Sequence, residues 1–394
     1  MSGALSVVLV DHTSTVSGAE VSLLDLIKAL AGEHRVTLAA PEGPLAEAAR
    51  ARGATVHTIA AVEGSLRLDP RHTPASIIAI VRAALDLRRI ARQTGADVIH
   101  ANSFRAGLIA SLAWRLGAPR PLVHIRDCLP DSRSTRATQA VLSRSARRIL
   151  ANSEFTAGCF HGARGGAAVE VVHNPVDLDR FDPDTIDRDK ARAELGLSPG
   201  QTALIELGKI TPWKGQDTAI EATRILRDRG LDVRLLIAGT VKFRRPLTRY
   251  DNDAYLGELH QSIRDHHLED AVTFTGQTDD PGLLFRAADC ALVPSWAEPW
   301  GRVVVEAMAV RTPVIATNVG GTTELIQHGE NGLLAPPREP QLWADAIQEL
   351  TGQPELRGRI VEAATHTARR FHPANHAREL VRIYRAVATP AAGS

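Results

Sequence analysis

Glu298-Pro299-Trp300-Gly301-Arg302-Val303-Val304-Val305-Glu306 sets two carboxylates eight positions apart, with a glycine turn just after the first. The run before it, Cys290-Ala291-Leu292-Val293-Pro294-Ser295, reads as a short buried strand that stops at a proline. The run after it, from Val303 to Ala309, is a good helix-former. The order is therefore strand, loop with Glu298, then a helix that starts near Gly301 and carries Glu306 in its second turn. A helix start offers unpaired backbone N–H groups and the positive end of a dipole. An anion such as a phosphate fits there, between two carboxylates that accept sugar hydroxyls. Glutamates near a helix start are also common as solvated, dipole-favoured charges. The flanks decide between the two readings.

Outward from this stretch, strand-like and helix-like runs alternate. In the first half, 6–10, 35–39, 55–59, 97–100, 122–125, 149–151 and 169–172 read as strands. Helices are expected at 19–30, 44–52 and 74–92. The second half restarts the pattern with strands at 203–207, 233–238, 272–275, 291–293, 314–316 and 333–334. Repeated βα units call for parallel sheets covered on both faces. The expected class is α/β. The proline-broken turn His173-Asn174-Pro175 marks the boundary. The expected domains are 1–174, joined by a C-terminal helix within 371–394, and 175–370.

The 394 residues suit two domains, and 46 basic against 45 acidic residues give no general attraction to nucleic acid. Cys128, Cys159 and Cys290 are widely spaced and odd in number. They suggest neither a zinc site nor a disulfide framework, and a reducing cytoplasm is the simplest setting. The N-terminal apolar run is too short for a signal-peptide core, and no apolar stretch approaches a membrane span. Only five lysines occur, and Lys209 and Lys214 share one short loop. That loop, Leu207-Gly208-Lys209-Ile210-Thr211-Pro212-Trp213-Lys214-Gly215, follows a strand and precedes a helix. Gly208 allows close backbone approach, and the two cations can straddle a diphosphate. Ser17-Gly18-Ala19-Glu20 also joins a strand to a helix, with Ser17 as a candidate N-cap.

The E-x7-E stretch and its flanks resemble the retaining glycosyltransferases of family 4, which have the GT-B fold. The likeness runs through Ser295-Trp296-Ala297-Glu298-Pro299-Trp300-Gly301, Glu306-Ala307-Met308-Ala309 and Thr312-Pro313-Val314-Ile315-Ala316. It continues through Gly320-Gly321 and Glu324 to Gly329-Glu330-Asn331-Gly332-Leu333-Leu334. Departures are Trp300 for a usual Phe, Lys209 for a usual Arg, and Ser17 for the first glycine of a Gly-Gly-x-Glu loop.

The resemblance implies two Rossmann-like domains facing a cleft, the first for the acceptor and the second for the donor. It implies transfer of a hexose, N-acetylglucosamine or glucose, from a UDP-sugar to an acceptor hydroxyl with retention of configuration. A GDP-mannose donor, or a GT-B nucleotide-sugar epimerase, is the alternative. A bacterial natural product such as an aminocyclitol, or a cell-envelope glycan, is the implied acceptor class. Glu306 would hold the ribose, and Glu298 with the backbone of Trp300, Gly301 and Arg302 the sugar. Val303 and Val304 would give N–H groups to the diphosphate, and Lys209, Lys214 and Gly18 would stabilise it. Gly18 stands where a bare backbone is expected. His124 matches a histidine that the family places at a strand end beside the transferred sugar. Asn152-Ser153-Glu154 matches a serine-rich turn on the acceptor side. The catalytic set is then His124, Glu298 and Lys214, with no cofactor besides the donor substrate.

No glycine pair with one residue between them occurs, so the dinucleotide fingerprint is absent, as is a Walker A loop. D-x-D triplets at Asp177, Asp182, Asp187 and Asp251 read as acidic loops, so no metal is expected. An arginine cluster from Arg126 to Arg148 reads as a solvated basic face, with at most peripheral membrane contact.

Overall fold

The computed structural model describes residues 3–62, 73–242 and 250–388. The first two residues of the N-terminal run and residues 389–394 of the expected final segment lie outside them. The chain divides into two compact units, Met1–Pro175 with Pro373–Ser394, and Val176–His372.

The first unit carries β1 (Ser6–Val10), β2 (Arg35–Ala40), β3 (Thr55–Thr58), β4 (Val98–Ala101), β5 (Leu122–Ile125), β6 (Arg148–Ala151) and β7 (Val169–Val171). Every strand pair is parallel, in the order β3-β2-β1-β4-β5-β6-β7. Its helices are α1 (Gly18–Leu30), α2 (Pro44–Ala51), α3 (Thr73–Thr94), α4 (Phe104–Arg115), α5 (Arg133–Ser145) and α6 (Glu154–Gly158). The final helix α15 (Pro373–Ala388) also belongs to this unit.

Strand alternation splits the apolar residues between two cores. Val7 and Leu9 pack with α1, α2 and α15 on one face, and Val8 and Val10 with α3, α4 and α5 on the other. The helix starts follow from local chemistry. Ser17 caps α1 in a capping box, its Oγ donating to Glu20 Oε2 at 2.5 Å and its N–H to the same oxygen at 2.9 Å. Ser103, Ser132 and Ser153 cap α4, α5 and α6 in turn.

The second unit repeats the plan. Its strands are β8 (Thr202–Leu207), β9 (Val233–Ala238), β10 (Val272–Gly276), β11 (Cys290–Val293), β12 (Val314–Thr317) and β13 (Leu333–Ala335). They run parallel in the order β10-β9-β8-β11-β12-β13. The helices are α7 (Arg188–Glu194), α8 (Gln216–Asp228), α9 (Asn252–Asp265), α10 (Pro281–Ala287), α11 (Arg302–Ala309), α12 (Thr322–Leu325), α13 (Pro340–Gly352) and α14 (Pro354–Arg369). Two of the D-x-D aspartates are helix caps. Asp187 accepts from the Asp189 and Lys190 amides, and Asp251 from the Ala254 amide. The two parallel sheets bear out the expected α/β class.

One expectation needs correction in the first unit. The cysteines do pair: Cys128 and Cys159 form a disulfide, with Cα atoms 5.5 Å apart. They are far apart in sequence, but β5 and β6 are sheet neighbours, so their exits lie side by side. The setting inferred from unpaired thiols loses that support. Among the described residues no helix is long and apolar enough to cross a membrane.

His124 lies where expected, near the C-terminal end of β5, and is completely buried. It faces α15. Its ring lies 5.4 Å from that of His100 and 6.4 Å from that of His376. Tyr384 of α15 shares a 2.6 Å hydrogen bond with His100 Nδ1. Burial, and then the nearby Arg126 guanidinium, push all three histidines down, His376 to about 3.

These shifts set a pH dependence. A base depressed by folding takes up its proton first in the unfolded chain, so stability falls as pH drops below about 6.5 towards the folded value. Each such histidine costs about 1.4 kcal/mol per pH unit in that window. Melting temperature should fall between pH 7 and pH 4, and His376→Gln, which cannot take up a proton there, should flatten the curve. Parallel curves for the two proteins would contradict the burial of a neutral His376.

Candidate active site

In the second unit the strand order reverses between β8 and β11. Loops leaving the C-terminal ends of two such strands turn opposite ways and open a crevice, where open α/β sheets bind ligands. The β8 exit carries Gly208, Lys209 and a short 3-10 turn, Pro212–Lys214. The β11 exit carries Ser295 and Glu298 and ends at Gly301, which caps α11 in a left-handed conformation (φ 94°).

Close backbone contacts hold the β8 exit against the β11 exit, and the β12 exit against the Glu298 loop. A Cβ at Gly215 would stand 2.2 Å from the Pro294 carbonyl oxygen, and one at Gly320 2.3 Å from that of Glu298. Both positions also have positive φ, so only glycine fits. The Trp296 amide donates to the Trp213 carbonyl at 2.8 Å, and the Gly321 amide to the Glu298 carbonyl at 2.8 Å.

Side chains converge on this frame. Lys214 Nζ lies 2.6 Å from Glu298 Oε2, which also accepts from Ser295 Oγ at 3.1 Å. The Lys214 ammonium sits 4.6 Å from the centre of the Trp213 ring, and that of Lys209 5.8 Å from the same centre. The two lysines and Glu298, expected from sequence, are thus brought together. On α11, Arg302 Nε donates to Glu306 Oε1 at 2.6 Å, both side chains being mostly buried.

Some expected groups serve differently. The Val304 amide donates to the Gly301 carbonyl at 2.9 Å, so it is engaged within the turn. The Trp300 side chain is core, meeting Phe371 edge-on at 5.4 Å, and only its backbone is left for a ligand. A Cβ at Gly18 would meet nothing within 4 Å, so α1 does not require a bare backbone there.

Sequence reasoning missed Glu206. It lies inside β8, wholly buried, and burial pushes its carboxyl well above the usual range despite Lys214 nearby. Burial thus disfavours ionisation of an acid that lies directly behind the lysine loop.

It also missed a polar group in the first unit, where the strand order reverses between β1 and β4. Asp11, wholly buried at the β1 exit, lies 3.1 Å from His12 Nδ1 and accepts from Asn102 Nδ2 at 2.8 Å. Arg105 Nη1 meets His12 Nε2 at 3.0 Å, and Ser103 Oγ meets Nδ1 at 3.0 Å. Arginine can only donate, so Nε2 accepts and the ring proton stands on Nδ1, facing Asp11. The residue after β5 is Arg126, not His124. Its guanidinium donates to Asn102 Oδ1 at 2.8 Å and to Asn174 Oδ1. The contiguous Asp11-His12 pair was the available signal; its partners are about ninety residues away.

Comparison with known proteins agrees with this geometry. Residues 187–367 match the family described as Glycosyl transferases group 1, and residues 16–180 match Glycosyltransferase Family 4. A D-inositol 3-phosphate glycosyltransferase of Rhodococcus erythropolis is 32% identical over 371 residues, covering 88% of this chain and 80% of its own.

This chain is a family 4 glycosyltransferase.

A second relative of that name, from Jonesia denitrificans, is 30% identical over 344 residues, covering 80% of this chain and 78% of its own. Among solved structures, Anabaena HepE in complex with UDP and glucose superposes with a TM-score of 0.82 at 24% identity, covering 97% of this chain and all of HepE. Sucrose-phosphate synthase from Thermosynechococcus elongatus gives 0.80 at 20% identity, over 97% of this chain and 99% of that one. The glycosyltransferase therefore has the GT-B architecture of two Rossmann-like domains.

The upward shift of Glu206 is testable. Raising a folded-state carboxyl pKa removes stability as pH rises above the unfolded value of about 4.3. Glu206→Gln should therefore match or exceed the parent in urea unfolding at pH 8. A loss above about 2 kcal/mol there would mean an ionised, paired carboxylate.

Proposed function

We propose that this glycosyltransferase moves a hexose, N-acetylglucosamine or glucose, from a UDP-sugar to an acceptor hydroxyl with retention of configuration. The observation that carries the reading is the pairing of Lys214 with Glu298 at the β8–β11 reversal, beside the start of α11. A nucleoside diphosphate leaving group gathers negative charge as the glycosidic bond breaks. Lys214, free to trade Glu298 for a phosphate oxygen, and Lys209 are cations fit to stabilise it. Glu298 then turns to the sugar hydroxyls, and Glu306 on α11 to the ribose. Charge from lysines and a helix start serves where other transferases use a divalent ion. Retention follows if the acceptor attacks the face that the diphosphate leaves, with that diphosphate taking the acceptor proton.

The acceptor belongs to the first unit, at the β1–β4 reversal. His12 Nε2 and the Ser103 and Arg105 side chains offer hydrogen bonds to a polyol. The similarity to proteins named D-inositol 3-phosphate glycosyltransferase favours a phosphorylated cyclic polyol over a polysaccharide.

Lys214→Ala should lower turnover by at least about a hundredfold, the usual loss for one electrostatic stabiliser. Near-parental turnover in the folded variant would remove Lys214 from the site. Calorimetry with UDP should show weaker binding for Glu306→Ala and nearly unchanged binding for Glu298→Ala, whose defect lies in turnover. Equal losses of UDP affinity would refute that division. His12→Ala should raise the acceptor KM without altering UDP binding. Activity should survive exhaustive EDTA treatment, and loss restored by magnesium would overturn metal independence. Proton NMR of the fresh product reads the anomeric configuration directly.

A further inference from the structure

Helix α3 is apolar on two sides. Its inner side puts Ala83, Ala84, Leu87 and Ile90 into the core beneath it. Its outer side exposes Ile77 (55%), Ile78 (53%), Val81 (41%) and Leu85 (49%). A surface helix normally carries one apolar stripe, facing the core, so folding alone does not explain the outer one. It also does not stand alone. Helix α3 packs beside α4, and α4 beside α5, in one layer over the same sheet face. That layer adds exposed Val141 on α5 and Leu116 at the end of α4. Six of the eight large hydrophobic side chains exposed among the described residues lie on it.

The same stretch of chain is strongly basic. Residues 73–148 hold thirteen arginines against four aspartates, with no lysine or glutamate, in a protein whose formal net charge is +1. Arg82, Arg89, Arg115 and Arg144 are exposed on the three helices of the layer. Arg136 and Arg89 are paired with Asp131 and Asp86, which leaves a clear excess of positive charge.

We propose that the outer face of the α3–α4–α5 layer docks on a membrane surface bearing anionic headgroups. Exposed aliphatic side chains enter the headgroup boundary, and the arginines around them meet lipid phosphates. The charge decides among occupants. Two copies of so basic a face repel each other, which argues against a self-dimer through it. Nucleic acid would satisfy the arginines but give the isoleucines and leucines nothing to bury against. A bilayer surface satisfies both. The inference stands apart from the assignment of donor and acceptor, because none of these side chains belongs to the candidate active site.

The test is sedimentation of the full chain with vesicles of phosphatidylcholine alone, or mixed equally with phosphatidylglycerol. The expected result is binding to the mixed vesicles only, lost in about 1 M sodium chloride, where the screening length is about 3 Å. Ile78→Ser with Leu85→Ser should abolish it. Arg82→Ser with Arg144→Ser should weaken it roughly thirtyfold, at about fivefold per arginine. Both double variants alter exposed positions and should keep parental transfer to a water-soluble acceptor. Failure to bind the mixed vesicles would overturn the proposal, as would equal binding to neutral ones or binding unchanged in the variants. So would a dimer in analytical ultracentrifugation that Ile78→Ser with Leu85→Ser dissolves, since the face would then belong to a second copy.

Discussion

The ion pair between Lys214 and Glu298 depends on three strand exits, those of β8, β11 and β12, being pressed together until only glycine fits at the contacts. Gly215 and Gly320 set that spacing, and the carbonyl oxygens of Pro294 and Glu298 fill the space where a side chain would begin. A mostly buried ammonium with no carboxylate would be costly, and the pair removes that cost while no substrate is bound. The same closeness leaves a desolvated cation and a carboxylate held side by side at the strand-order reversal. Glu206 behind the loop is held towards its neutral form by burial, which limits its competition with Glu298 for the lysine.

The first unit spends its buried polar groups in another way. Arg126 joins Asn102 and Asn174, on separate segments, and lies 3.3 Å from His124 Nδ1. Around it, His100, His124, His376 and Tyr384 attach α15 to β4 and β5 through rings and one short hydrogen bond. Neutral imidazoles suit this place because each pairs a flat apolar face with a polar edge. Charged ones would be repelled by the guanidinium.

Much of this was legible in the sequence. Parallel strands buried on both faces leave continuous apolar runs, and their alternation with helices gave the architecture with boundaries close to those observed. The loops of the candidate site were legible because their chemistry is local: Lys209 and Lys214 are five apart, and Glu298 and Glu306 eight. What was missed shares one cause. The links from Asp11 and His12 to Asn102 and Arg105, and from Cys128 to Cys159, arise from strand adjacency. Adjacency is a property of sheet order, and no spacing along the chain expresses it.

The disulfide gives one polypeptide two covalent topologies. Oxidised, residues 128–159 form a ring that takes in α5, β6 and α6; reduced, the chain is linear. Closing a loop with a sequence separation of 31 restricts the unfolded ensemble by about 4 kcal/mol in the chain-entropy account. The distance of the unit from unfolding therefore differs between the two forms. Lifetime against proteases, and yield in a producing cell, then depend on the thiol chemistry of the compartment as well as on the sequence.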